Sequence, residues 1–414
     1  MKRDADQIRE TVRKKVETAD IFLWGCEDAA KAFYQKYRDI FHIKGGLTEL
    51  RCHPDYLDDE QTVPIMEWKD YQGGANDYIV VFSSPFVHVE TQMLANGLQI
   101  FEEYIEATVL EVFLTDKKIA IMAGNCQMAM TFDFIREVKG FTDEYHVFRF
   151  ASHYWKSRWS LKTISYLHGL CDLYICIRHD EEDLKFFSRE ELPETCRIVV
   201  VPSLLVRLYW PQMKANREKA RNEYFLTDKS YKTHGPFEYG DANINRMIKE
   251  GKDIEEIVAA LTAEDFYTEE QVRNHINMMM RMLEYEEDGC DIKMSSYIKE
   301  RYTKQMLYRD MTHMQMDLVW EVVKRILECI GMDAGEVEAV RQDADNPACR
   351  MYKGHCTEVP VYPSVAKHLG LEWCNKDTLY DIVLYNGIRK MTFEEYIYAY
   401  YSVCNKIKQL REEW

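Results

Sequence analysis

Five short apolar runs constrain this chain more than any other feature: DIFLW at Asp20–Trp24, YIVVF at Tyr78–Phe82, KIAIM at Lys118–Met122, DLYICI at Asp172–Ile177 and RIVVV at Arg197–Val201. Each is bounded by turn signals and reads as a buried strand. The first four are each followed by a stretch with helical character. Strands that alternate with helices argue for parallel sheet, so the expected fold class is α/β. From Pro211 to Gly331 the character changes to long charged helical patterns, among them VRNHINMMMRMLEYEE and MDLVWEVVKRILECIG. A last helix is predicted over Phe393–Glu413, with Tyr396, Ala399, Tyr400, Val403 and Ile407 on one packing face.

Composition narrows the function classes. With 414 residues the chain has room for two or three domains, and 46% apolar with 13% aromatic residues excludes intrinsic disorder. A net charge of -17 argues against a general nucleic-acid binder or a peripheral protein of anionic membranes, both of which need a positive field. No run approaches the roughly 18 apolar residues of a membrane span. The opening MKRDADQIRETVRKKVETAD is a charged helical pattern without the apolar core of a secretory signal, so a cytoplasmic location is expected. The 12 cysteines are then expected as reduced thiols. Cys349, His355, Cys356, His368 and Cys374 match no paired CxxC spacing, and no metal is expected.

The polar TDKK stretch around Asp116 marks a boundary. It separates an N-terminal α/β domain (1–115) from a second domain (116–414), in which an α/β subdomain (116–210) precedes a mainly helical part (211–414). The first unit offers WGCED, then DYIVVFSSP, then MLANGLQIFEEYI. Over about residues 18–113 it resembles the small Rossmann-like module found ahead of sugar-modifying enzymes. Its glycine fingerprint is broken, because Glu27 stands where a dinucleotide site needs a second glycine to admit a pyrophosphate. A structural or protein-contacting role is therefore expected for it, as a homo-oligomer or glycan-assembly contact.

The chemistry concentrates at Gly124-Asn125-Cys126-Gln127, between a strand and the helical pattern MAMTFDFIREV. A thiol at such a turn lies beside the unpaired N–H groups of a helix start, which favour thiolate. Gly124 allows the tight backbone, and Asn125 with the following N–H groups can donate to a developing oxyanion. A buried, inert cysteine at a turn would carry the same residues. For a base, His313 stands out, in Asp310-Met311-Thr312-His313 ahead of a helix. An acid three residues before a histidine can orient its imidazole. The order Cys126, Asp310, His313 resembles the GDS…DxxH layout of the SGNH/GDSL hydrolases, with cysteine replacing serine. Between Glu144 and Asp172 no acidic residue occurs, while Arg149, Lys156, Arg158, Lys162, His146, His153 and His168 do. With Tyr154, Trp155 and Trp159 interleaved, this stretch suits a nucleotide-bearing ligand such as coenzyme A, or a helix face paired to acidic neighbours.

Together these residues resemble the WcbI-like polysaccharide-biosynthesis enzymes associated with bacterial capsule formation. The strand into GNCQ is intact, DLYICIR and VVVPSLLVRLYWPQ match the family's next two blocks, and THMQMDLVWEVVKRILECIG matches its late turn before a helix. Two positions depart: Trp210 stands for a histidine, and Met314 for the proline after the late histidine. The resemblance covers about residues 117–331. It implies a largely helical fold around a small α/β subdomain, a coenzyme A pocket and acetyl transfer to a sugar. Cys126 would then accept the acyl group or line the pocket, and His313 would act as base, oriented by Asp310. Asn125 and Gln127 would polarise the carbonyl. Arg149, His153, Lys156, Arg158 and Arg178 would meet the coenzyme A phosphates. Ester hydrolysis on a glycan by the same residues, or a non-catalytic part in a glycan-assembly complex, are the alternative readings.

Overall fold

The computed structural model describes residues 2–25, 28–49, 55–82, 86–151, 161–178, 192–214, 237, 239–343, 348, 357–384 and 387–412. The chain divides into two compact units, Met1–Asn125 with Thr142–Ile175 and Asp180–Ile198, and Cys126–Phe141 with Cys176–His179 and Val199–Trp414.

In the first unit, strands β1 (Asp20–Trp24), β2 (Ile43–Thr48), β3 (Ile65–Glu67), β4 (Asp77–Val81) and β5 (Tyr104–Glu106) form one sheet in the order β3-β2-β1-β4-β5. Every pairing is parallel. This is the doubly wound order, with its reversal between β1 and β4. β1 and β4 are buried along four of five positions each, which explains their uninterrupted apolar runs. β2 (IKGGLT) carries no such run. A Cβ on Gly46 would come within 2.9 Å of the Ile65 side chain, so the strand trades side chains for close approach to β3. The charged N-terminal helix, Lys2–Thr18, is fastened by its arginines: Arg9 donates to the Val112 carbonyl (3.2 Å) and Arg13 to that of Thr115 (2.8 Å).

A second sheet has the order β7-β6-β8-β9, made by β6 (Lys118–Gly124), β7 (Tyr145–Ala151), β8 (Leu173–Ile177) and β9 (Arg197–Val201). β6 and β7 pair in parallel from Lys118↔Tyr145 to Gly124↔Ala151. The acid-free basic stretch thus begins as a strand, with Phe148 and Phe150 buried, and ends in the helix Leu161–Gly169. β6 ends at Gly124 with φ +154°, a conformation that L side chains rarely adopt.

The second unit is mainly helical, as the charged periodic patterns predict. Its helices include Cys126–Ile135, Ala242–Lys249, Ile254–Leu261, Glu269–Glu287, Ser295–Arg301 and Met316–Ile330. Leu318, Val319, Val322, Val323, Ile326 and Leu327 are buried at helical spacing, and the Cys126–Ile135 helix packs on this face with Phe134 edge-on to Trp320 at 4.6 Å. An antiparallel hairpin, β10 (Tyr380–Leu384) and β11 (Gly387–Met391), was not expected. The last helix, Phe393–Glu412, buries Tyr396, Ile397, Tyr400 and Cys404. Ala399 and Val403 are half-buried rather than central to the face, and the buried Tyr400 donates to Asn245 Oδ1 (2.8 Å). The side chain of Ile407 lies outside the described residues.

Candidate active site

Gly124 turns the chain out of β6, and the helix starts at Cys126. Asn125 and Cys126 are half-buried at this turn, whereas Gln127 is fully buried. The Gln127 carboxamide is taken at both ends: Nε2 donates to the Pro202 carbonyl (3.0 Å) and Oε1 accepts from Leu204 N–H (2.8 Å). These bonds brace the segment leaving β9 against the start of the helix. The Gln127 side chain thus braces the turn that carries Cys126.

Asp310 and His313 share a tight loop between Leu307 and Gln315. Two backbone hydrogen bonds close it, Gln315 N–H to Leu307 (2.8 Å) and Arg309 N–H to His313 (2.8 Å). They flank the Tyr308↔Met314 bridge, and neither uses the N–H of Met314. The closing bonds therefore do not depend on whether residue 314 carries an N–H. Asp310 accepts from Thr312 N–H (2.6 Å), Thr312 Oγ1 (2.9 Å), His313 N–H (2.9 Å) and His313 Nδ1 (2.7 Å). Burial alone would raise the Asp310 carboxyl, but the charge and hydrogen bond of His313, with the Thr312 donors, bring it below its ordinary value. With Nδ1 directed at Asp310, the acid–base chemistry of the imidazole falls to Nε2.

The two halves of the constellation meet through residue 312. The Cys126 thiol donates to the Thr312 carbonyl (Sγ to O 3.7 Å) across 186 residues of sequence. The Thr312 hydroxyl is also bonded to the hydroxyl of Tyr239 (2.9 Å). Thr312 and Tyr239 were not foreseen as site residues, and a threonine between the acid and the histidine carries no signal that periodicity or spacing reveals.

Trp210, at the position of the family's histidine, is fully buried. Its Nε1 donates to the Val359 carbonyl (3.0 Å), Val359 N–H donates to Arg309 (2.7 Å), and Arg309 N–H donates to His313. Trp210 is thus wired to the backbone of the histidine loop. Of the residues expected to meet phosphates, Arg149 lies half-buried on β7. Arg178 follows β8, donates to the Tyr285 carbonyl and stacks 5.1 Å over the Tyr285 ring. His153, Lys156 and Arg158 lie outside the described residues, as do Glu27, Cys349, His355 and Cys356. Among the described residues no helix is long and apolar enough to cross a membrane.

Comparison with known proteins shows what the chain is similar to. A solved structure of native WcbI, described as a novel polysaccharide biosynthesis enzyme and free of the disulfide bond between coenzyme A and one of its cysteines, superposes with a TM-score of 0.51. It covers 70% of this chain and 91% of its own at 17% identity, a likeness of fold. No curated protein matches the sequence. The family model described as polysaccharide biosynthesis enzyme WcbI matches residues 119–335, more than half of the chain and the span that holds both the GNCQ turn and the histidine loop. The chain is therefore a member of the WcbI family of polysaccharide biosynthesis enzymes.

Proposed function

We propose that this protein is a coenzyme A-dependent acyltransferase that O-acetylates a sugar intermediate of a surface or capsular polysaccharide, in the cytoplasm where acyl-CoA is available. The observation that carries the reading is the Asp310–His313 pair on a loop whose Thr312 carbonyl holds the Cys126 thiol. That the related WcbI is described in terms of a disulfide between coenzyme A and a cysteine supports a coenzyme A thiol arriving beside a protein thiol.

In the proposed reaction Cys126 gives its proton to His313 Nε2 and attacks the thioester carbonyl, with Asn125 and the N–H groups of the helix start as oxyanion donors. Coenzyme A leaves as its thiol, taking a proton from His313 Nε2. The sugar hydroxyl then gives its proton to Nε2 and attacks the acyl-cysteine, which restores the Cys126 thiol. Asp310 holds the tautomer, and Gly124 and Gln127 fix the turn. Arg149 and Arg178, with His153, Lys156 and Arg158, are assigned to the coenzyme A phosphates. The N-terminal module is assigned a contact role, with its boundary near residue 116.

Incubation with acetyl-CoA followed by intact-mass and peptide analysis tests this. An acetyl increment on Cys126, discharged by a sugar acceptor, is expected. Transfer that persists in Cys126→Ala would reject the covalent route. The Asp310–His313 geometry also suits ester hydrolysis, and turnover of simple aryl esters without coenzyme A would favour that reading instead.

A further inference from the structure

We infer that Thr312 and Tyr239 are positioning residues for His313, acting through a directed chain of hydroxyls that ends on Asp310. The inference rests on the reading of His313 as the base oriented by Asp310. The chain's direction follows from counting donors. Asp310 is held as a carboxylate and can only accept. The single hydroxyl proton of Thr312 is committed to Asp310 Oδ1 (2.9 Å), so the contact between Tyr239 and Thr312 (2.9 Å) has Tyr239 as donor. The remaining lone pair of Thr312 Oγ1 faces His313 Nδ1 (3.0 Å), whose proton also reaches Asp310 Oδ2 (2.7 Å). Tyr239 is 5% exposed, Thr312 2% and Asp310 4%, so water does not compete for these bonds.

The consequence is geometric. Asp310 Oδ1 is pinned by two backbone N–H groups and the Thr312 hydroxyl, which leaves Oδ2 aimed at Nδ1. The carbonyl of the same Thr312 receives the Cys126 thiol. One residue thus sets both the ring of the base and the rotamer of the nucleophile, and Tyr239 fixes that residue's hydroxyl from a point 73 residues away in sequence.

The test is a histidine-labelled ¹H–¹⁵N spectrum of the full-length protein, with His313→Asn used to assign the ring. A protected, deshielded Nδ1 proton is expected in the wild type. Thr312→Ser keeps the hydroxyl and should keep that resonance. Thr312→Val keeps the volume but should lose it to solvent exchange, and Tyr239→Phe should shift it. Thermal unfolding of the same variants supplies a second readout. Thr312→Val removes the bond between the two hydroxyls, so Tyr239→Phe should lower the melting temperature less in the Thr312→Val background than in the wild type. If Thr312 only fills space, the pattern reverses: Val keeps the resonance and stability, Ser loses both, and the double variant is additive. Either of those results would overturn the inference. None of these readouts depends on acyl transfer, so loss of the acyltransferase reading would leave a separate mark, namely an intact Nδ1 signal in a protein that transfers no acetyl group.

Discussion

Asp310→Asn replaces a buried acceptor of four hydrogen bonds with a group that can accept through one atom only. Its Oδ1 can still serve the two backbone N–H groups and the Thr312 hydroxyl, at 2.6, 2.9 and 2.9 Å in the wild type. Its Nδ2 must then face His313 Nδ1, where a carboxylate oxygen sits at 2.7 Å. Two N–H donors cannot share that contact, so the ring must move its proton to Nε2 or swing away. The lost bond is charge-assisted and buried, worth about 1.5–3 kcal/mol, and release of the desolvated charge returns part of it. The expected net loss is about 2 kcal/mol, or a fall in Tm of roughly 4–8 °C. Because the folded carboxyl titrates below its ordinary value, its contribution is complete above the unfolded pKa, about 3.9, and is lost as pH falls through the folded value. The gap between wild type and variant, followed by urea unfolding, should therefore close as pH falls below about 4. Acetyl transfer should drop by about 10³–10⁴-fold, since the tautomer is wrong for a base at Nε2. A variant that matches the wild type in both stability at pH 7.5 and transfer rate would refute this reasoning.

Three further outcomes follow from the geometry. Asp241 is as buried as Asp310, but burial outweighs its hydrogen bonds and raises its carboxyl above the ordinary value. Ionising it costs stability as pH rises past about 3.9, so Asp241→Asn should unfold within about 1 kcal/mol of wild type at pH 7.5 and fall behind it as pH is lowered. Gln127→Leu orphans the Pro202 carbonyl and the Leu204 N–H, and chemical denaturation should show a loss of about 2–4 kcal/mol. Trp210→His restores the family's residue type but empties buried volume and removes the bond to Val359. It should cost about 3 kcal/mol by the same measurement and bring no gain in transfer rate.

The strands that announced themselves carry continuous apolar runs, buried at four of five positions in β1 and β4 and at all five in β8. β1 and β9 carry the expected bounds, and β4, β6 and β8 differ by one or two residues. β2 stayed hidden because Gly45 and Gly46 replace the side chains that make a strand recognisable. β7 stayed hidden because His146 and Arg149 made its stretch read as a ligand patch. The hairpin β10–β11 is exposed along most of its second strand and has little apolar pattern to betray it. At the site, a turn cysteine and a DxxH spacing are local features and could be read in one dimension. That Thr312 offers its carbonyl to Cys126 and its hydroxyl to Tyr239 is a fact of tertiary packing, and no local pattern encodes it. Gln127 shows the opposite case: its place beside Cys126 suggested a carbonyl contact, whereas both ends of its amide bond to backbone groups.

The most direct test of the account is a calorimetric titration of the purified protein with coenzyme A, acetyl-CoA and ATP. The account predicts that both coenzyme A species bind, that ATP binds far more weakly, and that Arg178→Glu weakens both coenzyme A species. No heat from either coenzyme A species at high micromolar concentration would contradict it.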